Sequence, residues 1–235
     1  EGKPATLNNI VINGNDLTNE RVVRRQLFTR PGYLFSQSDF ERSIREIASM
    51  GQFDPEAIMG EGGYSILPNP QNNTVDLVYN VTEKPSSQLE LSGGWGGNTF
   101  VATVGVSFNN FSTRRLFEKG AWRPVPLGDA QNLSLRFQTN GTYYTSLSAS
   151  FSEPWLFGKK PTSLNISLYY TRQTNSYIYY NILNNDEFME VYGFAAGLGN
   201  RLKWPDNYFV LYNQLSWQTY NLQNWSYQFL FNTGV

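Results

Sequence analysis

The chain has 235 residues, a formal net charge of −1, 16% charged and 16% aromatic residues, and neither histidine nor cysteine. Ser-His-Asp and Cys-His catalysis, zinc fingers, iron–sulfur clusters and His-ligated haem are excluded, because each needs a residue that the chain lacks. The balanced charge argues against a general nucleic-acid binder.

Residues 1–84 predict a small α+β domain. Thr18 is predicted to cap the first helix, and Ser38 and Glu41 form a capping box that opens the second. The predicted elements are a strand at 7–12, helices at 19–29 and 38–50, and strands at 56–67 and 74–83.

After a linker at 85–87 the helical period disappears. Residues 88–235 alternate apolar and polar side chains, as β-strands do. Phe100 and Val104 fall on one face of the second strand, and Thr103 and Ser107 on the other. The predicted strands cover 88–96, 99–110, 130–140, 142–152, 162–174, 187–201, 207–220 and 224–235.

Two architectures fit these strands: a soluble antiparallel sandwich, or strands of an outer-membrane barrel with one face in lipid. The predicted strands are longer than the usual length of about 5–6 residues. Their polar faces are rich in Ser, Thr, Asn, Gln and Gly, and poor in the Lys and Glu that face bulk water. These features favour the barrel. Aromatic residues that suit its two interfacial girdles are Trp95, Tyr143, Trp217 and Trp225 at one end, and Trp155, Phe157 and Trp204 at the other.

The connections between strands differ in length. Asn140-Gly141 predicts a tight type I′ hairpin, and 175–186 a longer loop at the same edge of the sheet. Residues 154–158 and 203–206 predict turns at the opposite edge. The connection at 111–129 is unusually long and lies at the same edge as these two turns.

Several segments resemble one family in their order along the chain. The segment 150–158, with Pro154 and Trp155, resembles the strand–turn–strand of the BamA family of outer-membrane assembly proteins. The segment 110–120 is similar to the aromatic-rich turn after the family's second barrel strand, with an insertion. Residues 13–15 and 51–53 also fit. The whole chain resembles the last POTRA domain of that family joined to the first half of its barrel.

The resemblance implies an α+β POTRA domain in the periplasm, followed by antiparallel transmembrane strands of an incomplete barrel in the outer membrane. It implies a central subunit of the β-barrel assembly machine that has no catalytic residues, metal or cofactor. The implied partners are nascent outer-membrane barrel proteins, periplasmic or lipoprotein subunits, and outer-membrane lipid and lipopolysaccharide, with no nucleic acid. The family has several POTRA domains, more strands and a Val-Arg-Gly-Phe loop that is absent here, so we expect part of a longer protein.

The resemblance also implies a lateral gate, in which the first barrel strand pairs weakly and templates incoming strands by β-augmentation. Glycines lower strand propensity and support weak pairing, although Gly93 and Gly94 could equally be turn residues. The predicted gate strand consists of Gln88, Leu89, Glu90, Leu91, Ser92, Gly93, Gly94 and Trp95.

Two further surfaces are candidates for partner binding. The segment 56–67 could accept an added strand at Tyr64, Ser65, Ile66 and Leu67. Its glycines at 60, 62 and 63 could instead mark a bulge. The long connection could dock a periplasmic or lipoprotein subunit, or form a solvated loop. Its basic residues are Arg114, Arg115, Lys119 and Arg123.

Three alternative functions remain open. A related translocation or secretion pore, of the TamA-like or two-partner type, would share these domains. A passive porin is less consistent with the N-terminal domain. An outer-membrane enzyme would need rim carboxylates such as Asp186, Glu187 and Glu190.

Overall fold

The computed structural model describes residues 4–96, 99–122, 124–141, 144–158, 160–174, 187–204, 206 and 208–224. The chain divides into two compact units. The first comprises Glu1–Ser86 and Asn109–Gln131, and the second comprises Ser87–Phe108 and Asn132–Val235. The expected boundary at 85–87 agrees with the first crossing of the chain between the units. The chain crosses twice more, after Phe108 and after Gln131, because the long connection belongs to the first unit.

The first unit contains a three-stranded sheet in the order β1-β3-β2. Strand β1 is parallel to β3, and β2 is antiparallel to it. This arrangement confirms the predicted α+β class. The elements are β1 (Thr6–Asn13), α1 (Glu20–Arg24), α2 (Gln37–Ser49), α3 (Pro55–Met59), β2 (Tyr64–Asn69) and β3 (Thr74–Asn80).

The starting residues of the first two helices differ from the predicted ones. Helix α1 is much shorter than predicted, and it starts after Asn19 instead of Thr18. Helix α2 starts after Ser36, whose hydroxyl accepts a hydrogen bond from the backbone N–H of Asp39 at 3.3 Å. The predicted capping box at Ser38 is therefore wrong, although a serine two residues earlier fulfils the same role.

Helix α3 occupies the start of the segment that the sequence predicts as a strand. Asp54 caps it by accepting a hydrogen bond from the backbone N–H of Glu56 at 3.0 Å, and Pro55 fits the first turn. The predicted strand at 56–67 is therefore wrong over its first half. Strand β2 begins only at Tyr64.

The core of the first unit is formed by one face of its sheet and by the helices. Strand β3 alternates buried and half-buried residues, and Leu77 and Tyr79 are fully buried. Phe40 of α2 packs on Tyr79 with ring centroids 5.7 Å apart. The residues that are less than 2% exposed include Phe40, Phe53, Ile47, Ile58, Leu77, Val22 and Val23.

The second unit is built on a seven-stranded antiparallel sheet in the order β10-β9-β8-β7-β6-β5-β4. Its strands deviate from the predicted bounds by at most three residues. They are β4 (Ser87–Gly96), β5 (Thr99–Phe111), β6 (Gln131–Thr139), β7 (Tyr144–Glu153), β8 (Thr162–Thr174), β9 (Phe188–Arg201) and β10 (Val210–Gln223). The predicted eighth strand at 224–235 and the loop at 175–186 lie outside the described residues, apart from Asn224.

The hairpin between β6 and β7 is wider than predicted. Thr139 pairs with Thr145, so the connection exceeds the two residues of a type I′ loop. Gly141 has a φ of +78°, and the Asn140 side-chain oxygen accepts a hydrogen bond from the backbone N–H of Tyr144 at 2.8 Å. The predicted tight turn at Asn140-Gly141 is therefore wrong.

The apolar face of this sheet is exposed. Leu168 of β8 pairs with Phe194 of β9, which pairs with Trp217 of β10. These three side chains are 53%, 38% and 65% exposed. A soluble sandwich would bury such a row against a second sheet, whereas a membrane-spanning sheet presents it to lipid.

Candidate strand-pairing site

Strand β4 is one edge of the seven-stranded sheet. It pairs with β5 along its whole length, from Ser87 opposite Phe108 to Gly96 opposite Thr99. Its other edge has no partner strand among the described residues. The residues from Ser87 to Trp95 are all exposed. The predicted gate strand therefore offers a row of backbone N–H and C=O groups that can accept another strand.

The two halves of β4 differ in side-chain packing. The second half contains Gly93, Gly94 and Gly96, and a Cβ at Gly94 would meet nothing within 4 Å. A Cβ at Gly93 would lie 2.6 Å from the ring of Phe100, which packs on Trp95. Most of the pairing in this half therefore rests on backbone hydrogen bonds and one aromatic contact.

An ion pair holds the first half of β4. The carboxylate of Glu90 accepts a hydrogen bond from the guanidinium of Arg136 on β6 at 3.1 Å. Glu90 lies opposite Gly105 of β5, where a Cβ would come within 3.2 Å of its carboxylate. The small residue on β5 thus lets the Glu90 side chain cross that strand. The ion pair connects the edge strand to its second neighbour.

A second free edge lies in the first unit. Strand β2 pairs only with β3 among the described residues, and its outer side is open. Tyr64, Ile66 and Leu67 are 40%, 36% and 53% exposed. Pro68 in the same strand lacks a backbone N–H, which is compatible with an edge position. The glycines at 60, 62 and 63 precede this strand and do not form a bulge within it.

The long connection is anchored to the first unit by buried polar residues. The side chain of Asn110 donates to the hydroxyl of Thr18 at 2.8 Å, and its oxygen accepts from the backbone N–H of Ala130 at 2.9 Å. The Ser112 hydroxyl donates to the Asp129 carboxylate at 2.6 Å. These residues are at most 4% exposed. The connection is therefore fixed at its base.

Asp129 is the charged centre of this base. Its carboxylate also accepts hydrogen bonds from Arg21 of α1, with which it forms an ion pair, and from the Asn19 side chain at 3.1 Å. Burial raises the pKa of Asp129, but the hydrogen bonds from Ser112 and Arg21 outweigh it. The pKa lies below its ordinary value as a result. Asp129 stays ionised at neutral pH.

The basic residues predicted to dock a partner differ in their contacts. Arg115 is engaged inside the connection, since it donates to the Leu127 carbonyl at 2.9 Å and to Glu118 at 2.7 Å. Its hydrogen bond lowers the pKa of Glu118. Arg114 and Lys119 are exposed, and Arg123 lies outside the described residues.

The aromatic residues assigned to girdles occupy different depths of the sheet. Phe157 and Trp204 are 75% and 83% exposed, in turns at the edge where β7 and β9 end. Trp155 lies in the same turn as Phe157. Trp217 lies in the middle of β10, and its predicted position at a strand end is therefore wrong. Trp225 lies outside the described residues.

Among the described residues, no group of three or more Asp or Glu side chains could hold a metal ion. No helix in the same ranges is long and apolar enough to cross a membrane.

The buried base of the connection is the part of the site that sequence reasoning missed. Its residues are polar and lie at the two ends of the segment, with Gly128 between them at a φ of +132°. A Cβ there would come within 2.8 Å of the Asn19 side chain. Polar residues at the ends of a loop normally face water, so composition alone gave no signal for their burial.

Two family models match the chain in succession. The POTRA model, described as a surface antigen variable number repeat, matches residues 5–84, and the Omp85 superfamily domain model matches residues 126–232. The BamA assembly factor of Neisseria meningitidis is 28% identical over 72% of this chain and 18% of its own length. That of Neorickettsia risticii is 32% identical over 64% of the chain and 19% of its own length.

The fold also matches solved structures. BamA from Haemophilus ducreyi lacking POTRA domains 1–3 superposes with a TM-score of 0.63 at 21% identity, over 95% of this chain and 37% of that one. CdiB from Acinetobacter baumannii gives a TM-score of 0.52 at 14% identity, over 93% and 39%. The chain spans about a fifth of the length of the curated relatives it matches.

Proposed function

This chain belongs to the Omp85 superfamily, and on that basis we propose that it is part of the central subunit of an outer-membrane β-barrel assembly machine. Its POTRA domain lies in the periplasm, and its strands lie in the outer membrane. The general role is barrel assembly or translocation. The specific proposal is that the protein folds and inserts barrel proteins, without covalent chemistry.

The physical problem that such a protein solves is the cost of unpaired backbone groups in hydrocarbon. Each unsatisfied N–H or C=O in lipid costs several kcal/mol, so an incoming strand must be paired as it enters. An exposed strand edge in the membrane provides such a pairing partner. The observation that carries the proposal is the glycine-containing half of β4, where few side-chain contacts reinforce the pairing with β5.

The division of β4 into two halves supports a direction of opening. Glu90 is tied to Arg136 over Gly105, which holds the first half to the sheet. The glycine-containing half from Gly93 to Gly96 has few side-chain contacts. We infer that β4 separates from a closing strand first at its glycine end, and that an incoming strand adds there.

The POTRA edge at Tyr64–Leu67 is the proposed first contact for an unfolded substrate or a periplasmic or lipoprotein subunit. Most of its side chains are exposed, and β3 is its one partner strand among the described residues. An extended peptide could add to this edge by main-chain hydrogen bonds, with little dependence on its sequence. Tolerance of sequence is what a receptor for many different barrel proteins needs.

Photo-cross-linking from β4 tests the proposal directly. A photoreactive amino acid at Leu89 or Leu91 should capture the strands of a stalled barrel substrate. The matched control is Leu168, which is similarly exposed on the apolar face but lies in β8, with a partner strand on each side. Equal capture from Leu89 and Leu168 would contradict strand templating at β4.

Depletion of the protein in cells separates the alternative functions. If many unrelated outer-membrane barrel proteins fall together in quantitative proteomics, the assembly role is supported. If a single secreted or transported species falls, the protein is a dedicated translocation pore. If only small-solute uptake changes, it is a porin.

A further inference from the structure

The connection between β5 and β6 carries an exposed aromatic and basic tip, which we define as residues 114–122. Phe117 is 97% exposed and Trp122 is 57% exposed. Arg114 and Lys119 of the same segment are also exposed. Large aromatic side chains are rarely left so open in water, and together with cations they are typical of residues at a membrane interface.

The acidic residues near the tip are already engaged. Glu118 forms an ion pair with Arg115 at 2.7 Å, and Asp129 forms one with Arg21. Lys119 and Arg114 have no ion pair within 4 Å among the described residues. The exposed charge of the tip is therefore positive, which complements an anionic surface.

The polar atom of Trp122 is satisfied inside the tip. Its indole N–H donates to the carbonyl of Leu116 at 3.0 Å. The ring can therefore enter an apolar environment without losing a hydrogen bond to water. Phe117 has no polar atom in its side chain to desolvate.

The connection that carries the tip is covalently continuous with two strands of the sheet, β5 and β6. Both ends of the connection continue into strands of the membrane-spanning sheet, at the edge where the β7–β8 turn carries Trp155 and Phe157. The buried contacts of Asn110, Ser112 and Asp129 fix its base. A loop whose two ends continue into bilayer-spanning strands favours a lipid partner over a distant protein.

We propose that the tip inserts Phe117 and Trp122 into the periplasmic leaflet of the outer membrane, with Lys119 and Arg114 among anionic phospholipid headgroups. The insertion is shallow, because the loop's backbone must stay at the level of the polar headgroups. The POTRA domain, to which the loop is hydrogen-bonded, thereby gains a contact with the bilayer. This inference does not depend on strand templating by β4.

Site-specific fluorescence tests the proposal, since the 235 residues contain no cysteine. In the protein reconstituted in nanodiscs of phosphatidylethanolamine and phosphatidylglycerol, F117C is labelled with an environment-sensitive dye. Lipids that carry a spin label at a shallow acyl position should quench this dye. The emission of the dye should also shift to the blue. The matched control is Y33C, an exposed aromatic position of the same unit that is 65% exposed. Its dye should stay unquenched.

Charge reversal separates lipid binding from simple proximity. K119E in the F117C background should reduce quenching in nanodiscs with phosphatidylglycerol and leave it nearly unchanged in zwitterionic nanodiscs, because each cation near an anionic surface is worth about a fivefold gain in partition. Solvent-like emission of F117C in both lipids would overturn the proposal. Equal quenching of F117C and Y33C would overturn it as well.

Discussion

The strands of both units alternate apolar and polar residues, but the apolar face is buried in the first unit and exposed in the second. In β3 of the first unit the apolar residues Val75 and Leu77 are at most 6% exposed, and Asp76 between them is half-buried. In the second unit the apolar Leu89, Leu91 and Leu215 are 65–73% exposed. The same pattern thus marks a core face in one sheet and an outer face in the other.

The difference shows that periodicity defines two faces but not their surroundings. The first unit has helices that cover one face of its sheet with Val22, Phe40 and Ile47. The described part of the second unit has no helix to cover its apolar face. Lipid takes the place of that layer, so substitutions on equivalent faces should have different effects in the two units.

The largest expected effect is in the POTRA core. F40A should destabilise the first unit by about 3–5 kcal/mol, because it removes a buried ring and leaves a cavity. The matched change F194A, on the exposed face of β9, should cost much less. Hydrogen exchange of each unit in the reconstituted protein measures both. Equal losses would mean that the apolar face of β9 is a buried core.

A charge on the lipid-facing row should have the next largest effect. L168R should cost about 2–4 kcal/mol near the middle of a bilayer. S167R, one residue earlier and on the opposite face, should be tolerated if that face lines a watery lumen. The folded fraction in vesicles, measured by heat-modifiable migration in gels, compares them. A greater defect for S167R would reverse the assignment of the two faces.

The glycines of β9 and β4 should differ in sensitivity. The ring of Tyr169 lies where a Cβ at Gly193 would be, and its hydroxyl accepts a hydrogen bond from Gln218 on β10. G193V should therefore cost about 1–3 kcal/mol by overpacking. G94V, where a Cβ meets nothing within 4 Å, should not destabilise the sheet. Urea unfolding in vesicles checks both, and a larger loss for G94V would contradict the open packing of β4.

The buried base of the connection should be sensitive to pH. Because the folded-state pKa of Asp129 lies below its ordinary value of about 3.9, its stabilisation is complete above that pH and declines as the pH falls through the folded-state pKa. D129N should cost about 1–2 kcal/mol at pH 7 and remove this decline. Hydrogen exchange at several pH values, corrected for the pH dependence of the intrinsic exchange rates, measures the stability of the first unit. If D129N loses stability at low pH in the same way as the original protein, other carboxyl groups cause the decline.

The smallest expected effect concerns the ion pair that crosses Gly105. Glu90 and Arg136 are about half exposed, so E90Q should change stability by less than about 1 kcal/mol. Its proposed role is to hold the first half of β4, so E90Q should increase hydrogen exchange in residues 87–91 more than in β8. The charge swap E90R with R136E should restore protection. Failure of the swap to do so would leave the ion pair without a role in holding β4.

The strands of the second unit were predictable because each has a long, regular alternation. The short elements of the first unit were not. Asp54 and Pro55 carried a helix signal, yet the apolar residues and glycines that follow them resembled a strand. Helix α1 ends early although its apolar pattern continues to Leu27, which is buried without being helical. Tertiary packing outweighs local propensity in such short segments.

The candidate site divides in the same way. The resemblance to the BamA family indicated the gate strand, whose glycines agree with weak pairing, and the POTRA edge followed from the predicted strand at 56–67. The ion pair of Glu90 with Arg136 depends on the register of three strands, and no local pattern predicts it. The exposed Phe117 and Trp122 were visible as aromatic residues, but their exposure follows from how the connection folds.

The amino-acid sequence by itself determined the strands, their two faces and the change from a helical to a strand period near residue 85, because these depend on neighbours a few residues apart. Only the tertiary structure decided which strands are edges and where the long connection packs. Asn110 and Thr18 are 92 positions apart in the chain, and their contact closes the base of that connection. Contacts over such separations leave no period in the sequence, since they are fixed by the joint packing of several elements.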